Sequence, residues 1–154
     1  MKINLPVSGF EVHLPAGDSV ISVTDLDGRI TFINKTFCDV SGFEENELLG
    51  QHQNIVRHPD MPESAFKDLW GTIKNGKPWN GIVKNRCKNG DHYWVDAYVM
   101  PVFDDGKNVA YISVRYQATK DQIETAETLY NKINHSKAAL RRGFLQRAKD
   151  IDLE

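Results

Sequence analysis

Val20-Ile21-Ser22-Val23-Thr24-Asp25-Leu26-Asp27-Gly28-Arg29-Ile30-Thr31-Phe32-Ile33-Asn34 is the stretch on which the fold turns. Residues 20–25 read as a strand and residues 30–34 as its hairpin partner, with Asp27-Gly28 as the tight turn between them. The period then changes. Residues 34–40 and 44–49 read as short helices punctuated by Gly42 and Gly50, and Ser41 with Glu44 has the spacing of a capping box. Arg57-His58-Pro59-Asp60-Met61-Pro62 leads into a longer helix over residues 62–75. Its apolar set, Phe66, Leu69, Trp70 and Ile73, lies on one face at helical periodicity. Asp60 and Glu63 fit the N-cap and N3 places, and Gly76 fits the stop. Strands over residues 79–86, 92–103 and 109–117 follow, joined by Lys88-Asn89-Gly90-Asp91 and Asp104-Asp105-Gly106-Lys107. Two strands, short helices, three strands and a last helix make an α+β order. It predicts an antiparallel sheet of about five strands with helices on one face.

Length and charge narrow the class. The 154 residues hold one domain of the usual ~100–150 residues and a little more. A formal net charge of -2 argues against a dedicated nucleic-acid binder, which carries a basic excess. With 40% hydrophobic and 26% charged residues, the chain is too apolar for intrinsic disorder. No run of about 18 apolar residues is present, and Met1-Lys2-Ile3-Asn4-Leu5-Pro6 lacks the apolar core of a secretory signal. Cys38 and Cys87 make neither a disulfide framework nor a zinc spacing. The expectation is a cytosolic single domain with additional chain at one end.

That additional chain begins at Ala118, after which Gly and Pro vanish apart from Gly143. Ile123, Ala126, Tyr130, Ile133, Lys137, Leu140 and Phe144 are spaced by alternating steps of three and four, the seam of a coiled-coil helix. Asp121 and Glu124 sit near its start. Lys137, Arg141, Arg142, Arg147 and Lys149 occupy its far part, an order that suits the helix macrodipole. A solvated helix and a signalling or dimerisation helix leaving the domain both fit. The division expected is 1–19 as an N-terminal cap, 20–118 as the domain and 119–154 as the exit helix.

The order and the motifs resemble a PAS domain, a sensory module that encloses a small ligand between sheet and helices. The hairpin of residues 24–34 resembles the opening of the PAS core. Phe37, Ser41-Gly42-Phe43 and Glu47-Leu48-Leu49-Gly50 match its next block, and Lys88-Asn89-Gly90 with Tyr93-Trp94 resembles its later hairpin. The resemblance covers roughly residues 20–119. Two further blocks are similar to the flavin-binding PAS domains of bacterial aerotaxis transducers. One is Asn54-Ile55-Val56-Arg57-His58-Pro59-Asp60-Met61-Pro62, followed by Phe66 and Trp70. The other is Lys77-Pro78-Trp79-Asn80-Gly81-Ile82-Val83-Lys84-Asn85-Arg86, running into residues 88–95. The resemblance implies non-covalent FAD read as a redox gauge. It ties Arg57, His58 and Asp60 to FAD binding and places Asn85 and a tryptophan of the Trp70/Trp79 pair around the ring. The basic position usual before Asn54 is Gln53 here, with His52 beside it. In such receptors the chain continues into a membrane anchor and a kinase-control region, so the resemblance implies a sensor portion of a longer protein.

The residues suit a flavin on physical grounds as well. A tricyclic ring needs a flat apolar slot, polar groups at one edge and a group that senses its N5 atom. Phe37, Phe66, Trp70 and Trp79 supply aromatic surface, each such contact adding about 0.5–1.5 kcal/mol beyond area burial. For Phe66 and Trp70 this competes with plain core packing, and for Trp79 with a rim or lid. Asn85 carries both a donor and an acceptor. Oxidised N5 accepts and reduced N5 donates, so an amide facing it reorients on reduction. Alternation puts Asn85 on the face of Val83. Arg57 suits a phosphate or ribose edge but equally a surface ion pair. His58 suits the ring or the loop, Asp60 a ligand or an N-cap, and Asn34 a ligand or a helix cap.

Light-sensing PAS relatives bond flavin through a cysteine on the segment facing the ring; residues 54–60 contain none. No phosphate-cradling glycine loop follows a strand, and no catalytic constellation stands out, so no enzyme is expected. Three functions compete: a redox- and oxygen-linked FAD sensor, expected to act as a homodimer with a downstream region in a membrane-anchored receptor; a haem PAS using one of His13, His52, His58, His92 and His135; and a cofactor-free docking module. The last draws on the helix seam and on Ile3, Leu5, Val7, Phe10, Val12 and Leu14, an apolar run suited to capping a partner.

Overall fold

Apolar residues alternate along five extended segments, and these pair into one antiparallel sheet in the computed structural model, which describes residues 6–152, with side chains through residue 138. The strands are β1 (Val20–Thr24), β2 (Ile30–Ile33), β3 (Trp79–Arg86), β4 (His92–Asp104) and β5 (Lys107–Gln117). Their order across the sheet is β2-β1-β5-β4-β3, so the last strand enters the middle and β3 forms an edge. Register follows the turns: Asn85 lies opposite Tyr93, Lys84 opposite Trp94, and Ser22 opposite Ser113. This is the α+β, five-stranded PAS-type architecture expected from the sequence.

Between β2 and β3 the chain forms α1 (Lys35–Ser41), α2 (Glu45–Leu48), a 3-10 turn over Gln53–Val56, and α3 (Glu63–Lys74). These cover the inner face of the sheet. Val20, Ile30, Phe37, Leu48, Tyr93 and Val95 are almost wholly buried between the layers. Burying a side chain of this size stabilises the fold by roughly 1.5–3 kcal/mol. Leu69 and Ile73 of α3 pack on Val99 and Tyr111 in a second cluster toward the other end. The space between the two clusters is where the layers separate.

The outer face is covered at one corner by the start of α4 (Lys120–Asp152). Ala126 packs with Trp94 and Ala118, joined by Ile82, Ile123 and Tyr130. Ile123, Ala126 and Tyr130 of the helix seam thus meet this chain's own sheet, where Trp94 offers an outward-facing apolar surface. Leu140, Phe144 and the basic residues from Arg141 lie outside the described side chains. Of the N-terminal apolar run, Val12 and Leu14 join the domain's own core, whereas Val7 and Phe10 are exposed; Ile3 and Leu5 lie outside the described residues.

Two caps differ from the sequence reading. The capping box over α2 is formed by Glu44 and Glu47, not by Ser41 and Glu44. Ser41 is fully buried and its hydroxyl accepts from the Phe43 backbone instead. Likewise the N-cap of α3 is Pro62, without a side-chain cap bond, rather than Asp60. Asp60 lies two residues too early, and its carboxylate pairs with Lys84 Nζ at 2.9 Å. Among the described residues, no helix is long and apolar enough to cross a membrane.

Candidate ligand-binding cavity

A cavity of about 120 Å³ opens between α3, the 3-10 turn and the inner face of the sheet. Alternation explains its sheet wall. Val83 and Asn85 of β3, Ala97 and Val99 of β4, and Ser113 and Arg115 of β5 all point the same way. Phe66, Leu69 and Trp70 come from one stripe of α3, at the spacing that places side chains on one helix face. His52, Gln53, Asn54, Val56 and Arg57 close the third side from the 3-10 turn, and Trp79 completes the ring at the start of β3.

The aromatic walls are held by specific contacts. Trp70 meets Tyr111 edge-on, with ring centres 5.7 Å apart. Its indole also lies beside Gly28, where a Cβ would approach it to 3.1 Å and His52 Nε2 to 2.7 Å, so the first hairpin turn needs a residue without a side chain there. The positive φ of 86° at Gly28 makes the same demand on the backbone. Trp79 donates its Nε1–H to Asp68 Oδ2 at 2.8 Å. Its ring lies flat across Gly81, two residues along the same strand face, where a Cβ would overlap the indole.

The polar residues divide into two groups. Asn85 is 5% exposed and lines the cavity, and its backbone pairs with that of Arg57 in an isolated antiparallel bridge. The Arg57 guanidinium stacks 4.0 Å from the centre of the Phe66 ring, and partial burial lowers its pKa. Opposite them Arg115 is buried, donating to Ser22 Oγ at 2.6 Å and lying over the Phe37 ring at 4.8 Å. Burial lowers the Arg115 pKa and pushes the neighbouring Tyr93 phenol well up, against weaker opposing pulls from Arg115 and the Asn85 amide.

Of the residues singled out in the sequence, Arg57, Phe66, Trp70, Trp79 and Asn85 come together around this cavity. Asn34, Phe37, His58 and Asp60 do not line it. Asn34 is the N-cap of α1, accepting from Phe37 N at 3.2 Å and Ile21 N at 3.0 Å and donating to Ser19 O at 2.8 Å. Phe37 sits in the core behind Arg115. His58 is 2% exposed, and its Nδ1 accepts from the Asp60 backbone at 3.0 Å. Burial and the nearby Lys84, His92 and Arg86 cations depress its pKa to about 4, against the pull of Asp60. Ser113 and Arg115 were not singled out. The only signal for them is strand alternation from Tyr111, which puts both on the face of a buried tyrosine.

Residues 30–115 match the family model described as the PAS fold. The chain belongs to the PAS family. Along 143 residues, 88% of its length, it is 46% identical to the aerotaxis receptor of Escherichia coli (strain K12), covering 28% of that protein. The PAS domain spans about a quarter of the length of the curated relatives it matches. Among solved structures it superposes on a PAS domain of a protein from Colwellia psychrerythraea with a TM-score of 0.60 at 24% identity, over 66% of this chain and 87% of that one. The light state of the blue-light photoreceptor Aureochrome1 LOV gives 0.64 at 22% identity, over 75% and 91% of the two chains. These likenesses establish the fold of this PAS domain.

Proposed function

We propose that this PAS domain is the redox- and oxygen-responsive sensor region of an aerotaxis-type receptor. In this reading it holds FAD non-covalently in the cavity and passes the redox state to a downstream signalling region through α4. The carrying observation is that Phe66, Trp70, Trp79 and Asn85 surround one space in a chain 46% identical to an aerotaxis receptor. The donor set fits the group: aromatic walls for a planar ring, an amide for its polar edge, and two arginines for its electron-rich or phosphate-bearing parts.

Bound FAD supplies reversible electron uptake; the chain's own residues do the rest. Phe66, Trp70 and Trp79 exclude water and hold the ring plane. Asn85 presents either its oxygen or its NH2 to the ring edge, and its strand carries the reorientation outward. Arg57 holds the mouth, stacked on Phe66. Asn34, Phe37, His58 and Asp60 act from behind, fixing α1, the Arg115 side chain and the loop before α3. The functional division is residues 1–19 as a cap, 20–118 as the sensor and 119–154 as the output helix, with a cytoplasmic location, a homodimeric receptor and no catalytic role.

The absorption spectrum of the purified protein, before and after dithionite, tests the reading. Two broad flavin bands that bleach on reduction are expected, and FAD is expected to be released on denaturation. A colourless protein that takes up no added FAD, or a sharp Soret band of haem, would overturn it.

A further inference from the structure

Asp68 is exposed in the middle of α3, where Asp is a poorer helix former than Ala. The residues one turn away, Ser64, Ala65, Gly71 and Thr72, carry no charge, so no ion pair along the helix accounts for it. Its carboxylate instead accepts from the Trp79 Nε1–H at 2.8 Å, a bond that crosses from α3 to the start of β3. The side chain thus reaches away from its own helix to hold a residue of the cavity wall.

Trp79 owes its position to this tie and to a glycine. Its ring is half-buried, packs against both apolar clusters, and lies flat over Gly81, where any Cβ would overlap it. Further along the same seam backbone groups make the closure: Arg57 pairs with Asn85, and the Lys84 N–H donates to Met61 Sδ at 3.4 Å. At the Trp79 end the bond runs between two side chains and is exposed. The cavity behind it holds about 120 Å³, below the roughly 300 Å³ at which small-molecule pockets begin. A planar tricyclic ring therefore passes only when a wall moves. The end closed by side chains can move while the backbone bridge stays intact.

We propose that Asp68 is a positioning residue that latches the Trp79 indole across the mouth of the cavity and so sets how fast the ligand exchanges. This rests on the flavin reading above, with FAD as the ligand. Breaking the bond frees the indole to swing off Gly81 and parts α3 from β3; remaking it shuts the ring in. The bond is present before and after the passage and absent during it. Weakening it therefore speeds entry and release alike and leaves the affinity nearly unchanged. A side chain that only supported the bound state would, when removed, speed release alone.

Stopped-flow mixing of the FAD-free chain with FAD, followed by flavin fluorescence, measures entry, and dilution of the loaded chain measures release. Asp68→Ala, which favours the helix, is expected to raise both rate constants about tenfold, the effect of losing one hydrogen bond to a charged acceptor. Its affinity is expected within about threefold of wild type. Asp68→Asn, which keeps an oxygen acceptor, is expected to match wild type in both constants to within about threefold. Gly81→Ala drives a Cβ into the indole with Asp68 in place. It is expected to quicken both constants too, and it carries the test if Asp68→Ala does not fold. Unchanged rates in Asp68→Ala or Gly81→Ala, a rise in release alone, or equal rates in Asp68→Ala and Asp68→Asn overturn the latch while leaving FAD binding intact. A wild-type chain that takes up no FAD overturns this inference together with the function on which it rests.

Discussion

The amide of Asn34 joins three stretches of chain: it caps α1 at Phe37, accepts from Ile21 in β1 and donates to Ser19 ahead of that strand. An N-cap is worth about 1 kcal/mol, and leaving further backbone groups without their partner adds about 1 kcal/mol more. Asn34→Ala is therefore expected to lower the unfolding free energy by roughly 2 kcal/mol in urea denaturation, with Asn34→Asp keeping the acceptor and losing less. A capping role at this position was legible from a strand end meeting a helix start. The double tie to β1 was not, because it depends on how the hairpin folds back. Arg115 was harder still. In Val114-Arg115-Tyr116 a charge reads as solvent-facing, and only the alternation from Tyr111 places it inward.

Among the elements, α4 shows how tertiary contact redirects a sequence pattern. Its three- and four-residue spacing was legible, but Trp94, whose outward direction depends on strand register, determines what the first part of that seam meets. Tyr130 stacks on Trp94 with rings 11° from parallel, and its hydroxyl donates to the Ile82 carbonyl. Asn134 donates to the Asp60 carbonyl at 2.9 Å, and Lys137 pairs with Glu63 at 3.1 Å. Tyr130→Phe keeps the stack and removes one hydrogen bond, a net loss of about 1 kcal/mol. Hydrogen exchange of the first turns of α4 is expected to quicken about fivefold, with little change in β4 and β5. Uniform quickening across the sheet would show that the helix does not open independently. The strand boundaries, by contrast, were nearly complete in the sequence, because Asp-Gly and Asn-Gly turns mark the hairpins and β3 starts directly after Pro78.

At the scale of the whole molecule, acid exposes a cost that neutral pH conceals. His58 is held at a pKa of about 4 by burial and by Lys84, below its ordinary 6.5. His92 is depressed as well, by burial and again by Lys84. Between those values the unfolded chain binds protons that the folded chain refuses, so stability falls as pH drops from 6.5 toward 4. Asp60, whose burial pushes its carboxyl up but whose bond to Lys84 and the neighbouring charges hold it below the usual value, extends the loss to lower pH. The expected outcome is a Tm that declines on acidification from about pH 7 to about pH 5, with a shallower decline in His58→Gln. An equal slope in that variant would assign the acid sensitivity elsewhere. Sequence alone pointed to His58 as a ligand or loop residue. Its burial emerges only when the loop before α3, β3 and β4 close around it.

β3 has a consequence that its register contains. Val83 and Asn85 form the cavity wall, while Ile82 and Lys84 between them support α4 and the Asp60 loop. The barrier between the enclosed space and the exit helix is thus a single pleat. The side chains that line the cavity and those that meet the helix alternate along this one strand. In this molecule the first turns of α4 stand against the back of the cavity wall.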